Sequence, residues 1–171
     1  DTSVSIPSDG YYSFTFQEYA RPENDGDPEF VSTYGSPVNT PVMKDGTVTF
    51  PILSFYCETT DPKTNQPLTT EQMHYYVPKN SEAMFYFKVT ENDPNSTHTY
   101  DGRTVTNSDG CVYIRLKVVV NDKGKFTYFV DYQSVTGDDI TFRDFKEDYP
   151  NGADYITMSG VQFDLGAFYK K

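Results

Sequence analysis

The stretch that most constrains the fold is CVYIRLKVVVNDKGKFTYFVDYQS, Cys111 to Ser134. Side chains alternate between the two faces of a strand, so Val112, Ile114, Leu116, Val118 and Val120 share one face, and Phe126, Tyr128, Val130 and Tyr132 form its match. The NDKGK segment between them carries turn chemistry. The pattern predicts an antiparallel hairpin with one buried face.

The same period recurs along the chain. In YYSFTFQEY, Tyr12, Phe14 and Phe16 alternate with Ser13, Thr15 and Gln17 after the turn pair Asp9-Gly10. A second strand is expected from Phe30 to Tyr34, followed by a loop from Pro37 to Pro41. After Asp45-Gly46, the run TVTFPILSFYC places Val48, Phe50 and Ile52 on one face, and Pro51 makes it an edge or bent strand because proline cannot donate to a ladder. AMFYFKVTE is a further strand, the NDPNSTHTYDGRTVTNSDG stretch reads as a loop, and YITMSGVQF is the last strand, reached through a polar stretch from Gly137 to Gly152. With 11 glycines, 11 prolines, 15 tyrosines and 13 phenylalanines in 171 residues, strands and turns are favoured over helices.

The expected fold is therefore all-β, a single immunoglobulin-like antiparallel β-sandwich of about seven to nine strands spanning residues 1–171. Its first and last strands are expected to be partners or neighbours. Residues Glu58 to Glu82 are too long and polar for a hairpin loop and read as an insertion, functional or mobile. Within it, LTTEQMHYY can form one helical turn capped by Thr69 or Thr70.

A net charge of −11 and a pI near 4.4 argue against nucleic acid and anionic membrane surfaces as partners. No run of about 18 apolar residues is present to insert in a membrane. The start at Asp1, without Met or a leader, is expected of a mature or excised fragment.

Familiar catalytic signatures are absent. There is no glycine-rich phosphate loop, no Gly-x-Ser-x-Gly elbow and no His-Glu-x-x-His helix, so the chain does not read as an enzyme and no cofactor is implied. His74 and His98 lie in polar stretches and read as exposed, idle imidazoles. ENDGDPE and ENDPN have oxygen ligands but not the spacing of a calcium loop, and no metal site is expected. Cys57 and Cys111 are too few for a zinc motif and are instead a disulfide candidate in an oxidising compartment. Tyr11, Tyr19, Tyr75, Tyr76 and Tyr149 fall outside the main alternating sets; Tyr75 and Tyr76, in the insertion, are the binding candidates. Asn95 begins the sequon NST.

One residue breaks the pattern. In MFYFKVTE, Phe85, Phe87 and Val89 share a face and the next residue on it is Glu91, a carboxylate that is costly to bury without partners. Together with DGTVTFPILSF, TYDG followed by VYIRLKVVVNDKGKFTYFVDYQ, and SGVQF, that segment resembles, from about Tyr11 to Phe163, the streptococcal pilin isopeptide-linkage domain family. These are relatives of the Cna-B-like domains that build pili and adhesin stalks on Gram-positive bacteria.

The resemblance implies a structural domain at the cell surface or in the cell wall, with neighbouring domains or subunits as partners. It also implies that Glu91 matches the acid that promotes a Lys-Asn amide crosslink between the first and last strands. A buried, protonated carboxyl can polarise the carbonyl, while apolar surroundings favour a neutral amine. Leu165 stands at the position of the acceptor Asn, with Asp164 adjacent, and no lysine lies between Asp1 and Tyr12. The crosslink is thus expected to be absent or incomplete in these residues, leaving Glu91 vestigial, held by backbone amides, solvent, or a cation such as Lys44 or Arg103. The alternative reading is a surface module that binds a glycan or host protein through the insertion and its tyrosines.

Overall fold

The computed structural model of the chain describes residues 13–41, 52–93, 96–100, 103–106, 111–135, 146–149 and 155–157. Its main element is an antiparallel sheet in the order β2-β1-β4-β7-β8-β9. Five strands are long: β1 (Ser13–Tyr19), β2 (Thr33–Pro41), β4 (Ser81–Glu91), β7 (Cys111–Val120) and β8 (Phe126–Val135). β9 (Lys146–Tyr149) is a short edge. β3 (Ile52–Ser54) pairs with β10 (Tyr155–Thr157), and β5 (Thr97–Tyr100) pairs with β6 (Arg103–Thr106). The helix α1 (Thr70–Met73) is a single turn. The chain is mostly β, as the periodicity indicates.

The hairpin of β7 and β8 forms in the expected register, with Leu116 opposite Val130 and Val118 opposite Tyr128. Asn121 closes its turn by accepting backbone N–H groups of Lys123 and Lys125 at 2.9 Å each, and Gly124 takes φ 76°. One face of the sheet carries the core: Phe14, Phe16, Phe85, Phe87, Val89 and the even-numbered residues of β7 are all buried, with Phe126, Tyr128 and Val130. Leu53, Phe55 and Val77 cover that face. Each such side chain contributes roughly 1.5–3 kcal/mol when fully buried.

The opposite face is partly covered as well. The 20–32 loop folds over it, and the Phe30 ring meets Tyr19, Tyr86 and Tyr113 edge-on at 4.7–5.7 Å. Arg115 and Asp131, directly opposed across β7 and β8, join at 3.1 Å beneath this loop. That cover explains why Tyr86 is buried although it points away from the core.

Several expectations are corrected. The segment read as the Pro37 to Pro41 loop belongs to β2. It is an edge strand, where a proline removes no ladder bond, and a register shift opposite Gln17 accommodates Gly35 at φ 68°. Gln17 donates its side-chain amide to the carbonyls of Tyr34 and Gly35 at that irregularity. The stretch after β4 read as a loop contains β5 and β6, and the polar stretch from Gly137 contains β9. The first and last strands are not neighbours among the described residues: β1 lies between β2 and β4, and β10 pairs with β3. Val48, Phe50, Asn95, Asp164 and Leu165 lie outside the described residues.

Candidate functional site

Glu91 sits where the alternation puts it, at the end of β4 on the core face, opposite Phe14 of β1 and only 4% exposed. Its neighbour Asn92 ties the strand end to β1, donating through its side-chain amide to Ser13 Oγ at 2.7 Å and through its backbone to Ser13 O at 2.9 Å. Lys44 lies outside the described residues, as does the side chain of Arg103, so neither proposed cation is placed against Glu91.

A second buried carboxylate occupies the other end of the same strand pair. Glu18 follows Phe14 and Phe16 on the core face of β1, opposite Phe87, and is 7% exposed. It lies four residues along the ladder from the Phe14–Glu91 pair, about 13 Å at ~3.3 Å per residue. Glu18 Oε2 pairs with His74 Nε2, and Glu18 Oε1 accepts the hydroxyl of Tyr75 at 2.5 Å. The His74 ring stacks on Tyr34 of β2 with centroids 3.6 Å apart and meets Phe85 edge-on at 5.7 Å. Burial, then the bond to Glu18, pushes the Tyr75 phenol far above its ordinary value. Tyr34 is raised too, by burial and by the charges of Glu18 and Glu71.

His74 is therefore not an idle surface imidazole, and Tyr75 is not an outward platform. Both fasten the insertion to the sheet by bonding to the buried carboxylate that ends the aromatic face of β1. The signal was available: Glu18 extends the Phe14, Phe16 set by one step, just as Glu91 extends the set of β4. Tyr76 forms a backbone bridge with Tyr56 and is half-buried. Tyr11 lies outside the described residues, and the side chain of Tyr149 is likewise not described.

The insertion is braced throughout. Thr69 Oγ1 accepts from Gln72 N while Gln72 Oε1 accepts from Thr69 N, a capping box that starts α1. The other end of the Gln72 amide donates to Asp61 Oδ2 at 3.0 Å and to the Tyr56 hydroxyl at 3.3 Å. Asp61, 7% exposed, also accepts from Lys63 N at 2.9 Å. Ser81 and Glu82, assigned to the insertion from sequence, are the first residues of β4. Beside this braced loop opens a cleft of about 490 Å³ between residues 54–63 and Phe126.

The two cysteines do not meet. Cys57 Sγ lies against the Gly124 carbonyl at 3.9 Å, beyond the end of β7, and Cys111 begins that strand. Nine residues of strand separate the two ends by about 30 Å, whereas a disulfide requires Cα atoms about 5.5–6 Å apart. Both remain thiols, and burial raises that of Cys111. Among the described residues, no group of three or more His, Cys, Asp or Glu side chains is arranged to hold a metal ion, and no helix is long and apolar enough to cross a membrane.

Comparison with protein-family models, curated proteins and solved structures finds no match to this chain. What its geometry defines is a mostly β protein with an antiparallel sheet and, among the described residues, the carboxylates of Glu18 and Glu91 buried on its core face.

Proposed function

We propose that this chain is a structural domain of a Gram-positive cell-surface protein, a segment of a pilus or adhesin stalk, and not an enzyme. On this reading the sheet is one layer of an immunoglobulin-like sandwich. Leu53, Phe55 and Val77 cover its core face, where a second layer would pack, and β3 with β10 would belong to that layer. Its partners are the neighbouring domains or subunits of the same surface structure.

The observation that carries the reading is the burial of Glu91 at the end of β4. A carboxylate on the face of Phe85, Phe87 and Val89 is not chosen for apolar packing, and the pilin-type resemblance supplies a reason for an acid at that position. With no lysine in Asp1 to Tyr12 and Leu165 at the acceptor position, the crosslink is absent or incomplete within these residues, and hydrogen bonds carry the load between their strands. Pulling β1 along its axis shears its ladders with β2 and β4 together, since both neighbours run antiparallel to it.

Two measurements test this. Antibodies to the chain should label intact cells of the source organism, and wall digestion should release the parent protein; recovery in the cytosolic fraction alone refutes the assignment. The intact mass of the purified chain should be unshifted, whereas a deficit of about 17 Da (Lys-Asn) or 18 Da (Lys-Asp) would show a formed amide and overturn the vestigial role of Glu91.

A further inference from the structure

We infer that the cleft beside the insertion is a binding site for a neutral, polyhydroxylated ring, the chemistry of a glycan. Its volume of about 490 Å³ falls within the roughly 300–1,000 Å³ of small-ligand pockets. Three aromatic residues line it: Phe55 and Tyr56 follow β3, and Phe126 opens β8. Phe55 and Phe126 are core residues, 3% and 5% exposed, so the half-buried Tyr56 and the exposed Pro62 supply the apolar surface for the C–H side of a sugar.

The polar lining decides the class. Asp61 is a buried carboxylate held rigidly by Gln72 and the backbone of Lys63. Those bonds use two of about four acceptor positions on its oxygens, leaving capacity for ligand hydroxyls. Thr60 adds a hydroxyl and Lys63 an ammonium. Among the described lining residues the carboxylates of Glu58 and Asp61 outnumber the Lys63 ammonium, and Glu58 is joined to Lys79 at 3.3 Å. A lining without cationic excess gives no net attraction to phosphate or sulfate groups. A purely apolar ligand would strip water from the carboxylate and hydroxyl without replacing its hydrogen bonds, at about 1–3 kcal/mol per group. A ring with one apolar face and several hydroxyls meets both parts of the lining. The site is distinct from Tyr75 and from the Glu18 cluster, and it does not depend on the proposed structural role.

The test is a titration of the 15N-labelled chain with lactose, maltose and N,N′-diacetylchitobiose to about 10 mM, followed by amide shifts; weak sites have Kd near 1 mM. At least one disaccharide should shift Thr60, Asp61 and Lys63 in a saturable way. The exposed-site double variant T60A/K63A, checked for an unchanged melting temperature, should weaken binding about tenfold or more. If the variant has lost stability, Lys63→Ala and Thr60→Ala are titrated singly, with about threefold weakening expected from each. The inference is overturned if no disaccharide shifts these residues, if the variants bind as tightly as the parent, or if only sodium sulfate or an apolar probe such as indole shifts them.

Discussion

The bond between Tyr75 and Glu18 can be isolated by a double-mutant cycle. Tyr75→Phe leaves the ring stacked on Phe85 at 5.8 Å and edge-on to Phe55 at 5.7 Å, and deletes only the donor to Glu18. That acceptor is 7% exposed, so water replaces the lost donor poorly. A hydrogen bond to a charged group contributes about 1.5–3 kcal/mol. Tyr75→Phe should therefore lower stability by about 2 kcal/mol, equivalent to roughly 4–8 °C in Tm for a domain of this size. Glu18→Gln keeps the volume but removes the charge shared by His74 and Tyr75, and should cost a similar amount. Because the amide oxygen left by Glu18→Gln can still accept the Tyr75 hydroxyl but without charge assistance, the two substitutions act on one contact, and the double variant should be more stable than additivity predicts by about 1 kcal/mol. Urea denaturation followed by far-UV circular dichroism reads this out, with an unchanged slope showing that only stability has moved. The hydroxyl of Tyr76 serves as the control, and its removal should change stability by less than about 0.5 kcal/mol. A loss below about 0.5 kcal/mol for Tyr75→Phe, or strict additivity in the cycle, refutes the anchoring of the insertion through Glu18.

Three further outcomes are expected. The folded chain holds the Tyr75 proton above the ordinary phenol value of 10.0, so this contribution to stability is complete below about pH 10 and is lost as pH rises beyond it; urea midpoints from about pH 9 to 11 should fall less steeply in Tyr75→Phe, and equal slopes contradict the assignment. Gly124→Ala places a Cβ in a left-handed turn, 3.3 Å from Cys57 Sγ and from Lys79 Cε, and should destabilise by about 1–2 kcal/mol; an unchanged thermal melt would show that the turn relaxes freely. Both cysteines should react with a thiol reagent in denaturant without reductant, and a mass deficit of about 2 Da with no reaction would restore the disulfide.

Much of the main sheet was legible because its strands bury one face, and a half-buried strand must alternate. β4, β7 and β8 follow that rule, and the turn residues Asn121 and Gly124 fix where one strand ends and the next begins. β2 was only partly legible. As an edge strand with exposed side chains, it has no buried face to impose alternation, and its prolines imitate a loop. β5 and β6 were missed although Asp101-Gly102, a favoured hairpin pair, separates two threonine-rich runs. Cys57 and Cys111 show the opposite limit, since two residues carry no record of which end of a strand each occupies until the register is known.

Glu18 and Glu91 bring these limits together. Each continues an aromatic or aliphatic face by one step, each lies at an end of the β1–β4 ladder, and each is nearly inaccessible. Alternation identifies such a residue, but its role depends on what the fold brings to it. For Glu18 the answer lies in residues 56 positions and more away: His74 and Tyr75 arrive through the insertion and convert a costly carboxylate into the point that holds that segment down. This predicts different responses to loss of charge at the two ends. Glu18→Gln should loosen the insertion, raising amide exchange at Tyr75 and Val77, whose N–H groups bond to Gln72 O and Tyr56 O, while leaving β7 protected. Glu91→Gln should leave the insertion's exchange unchanged. Equal acceleration of the insertion in both variants would show that the two carboxylates act through one global opening, and the distinction between an anchor and a vestigial acid would fail.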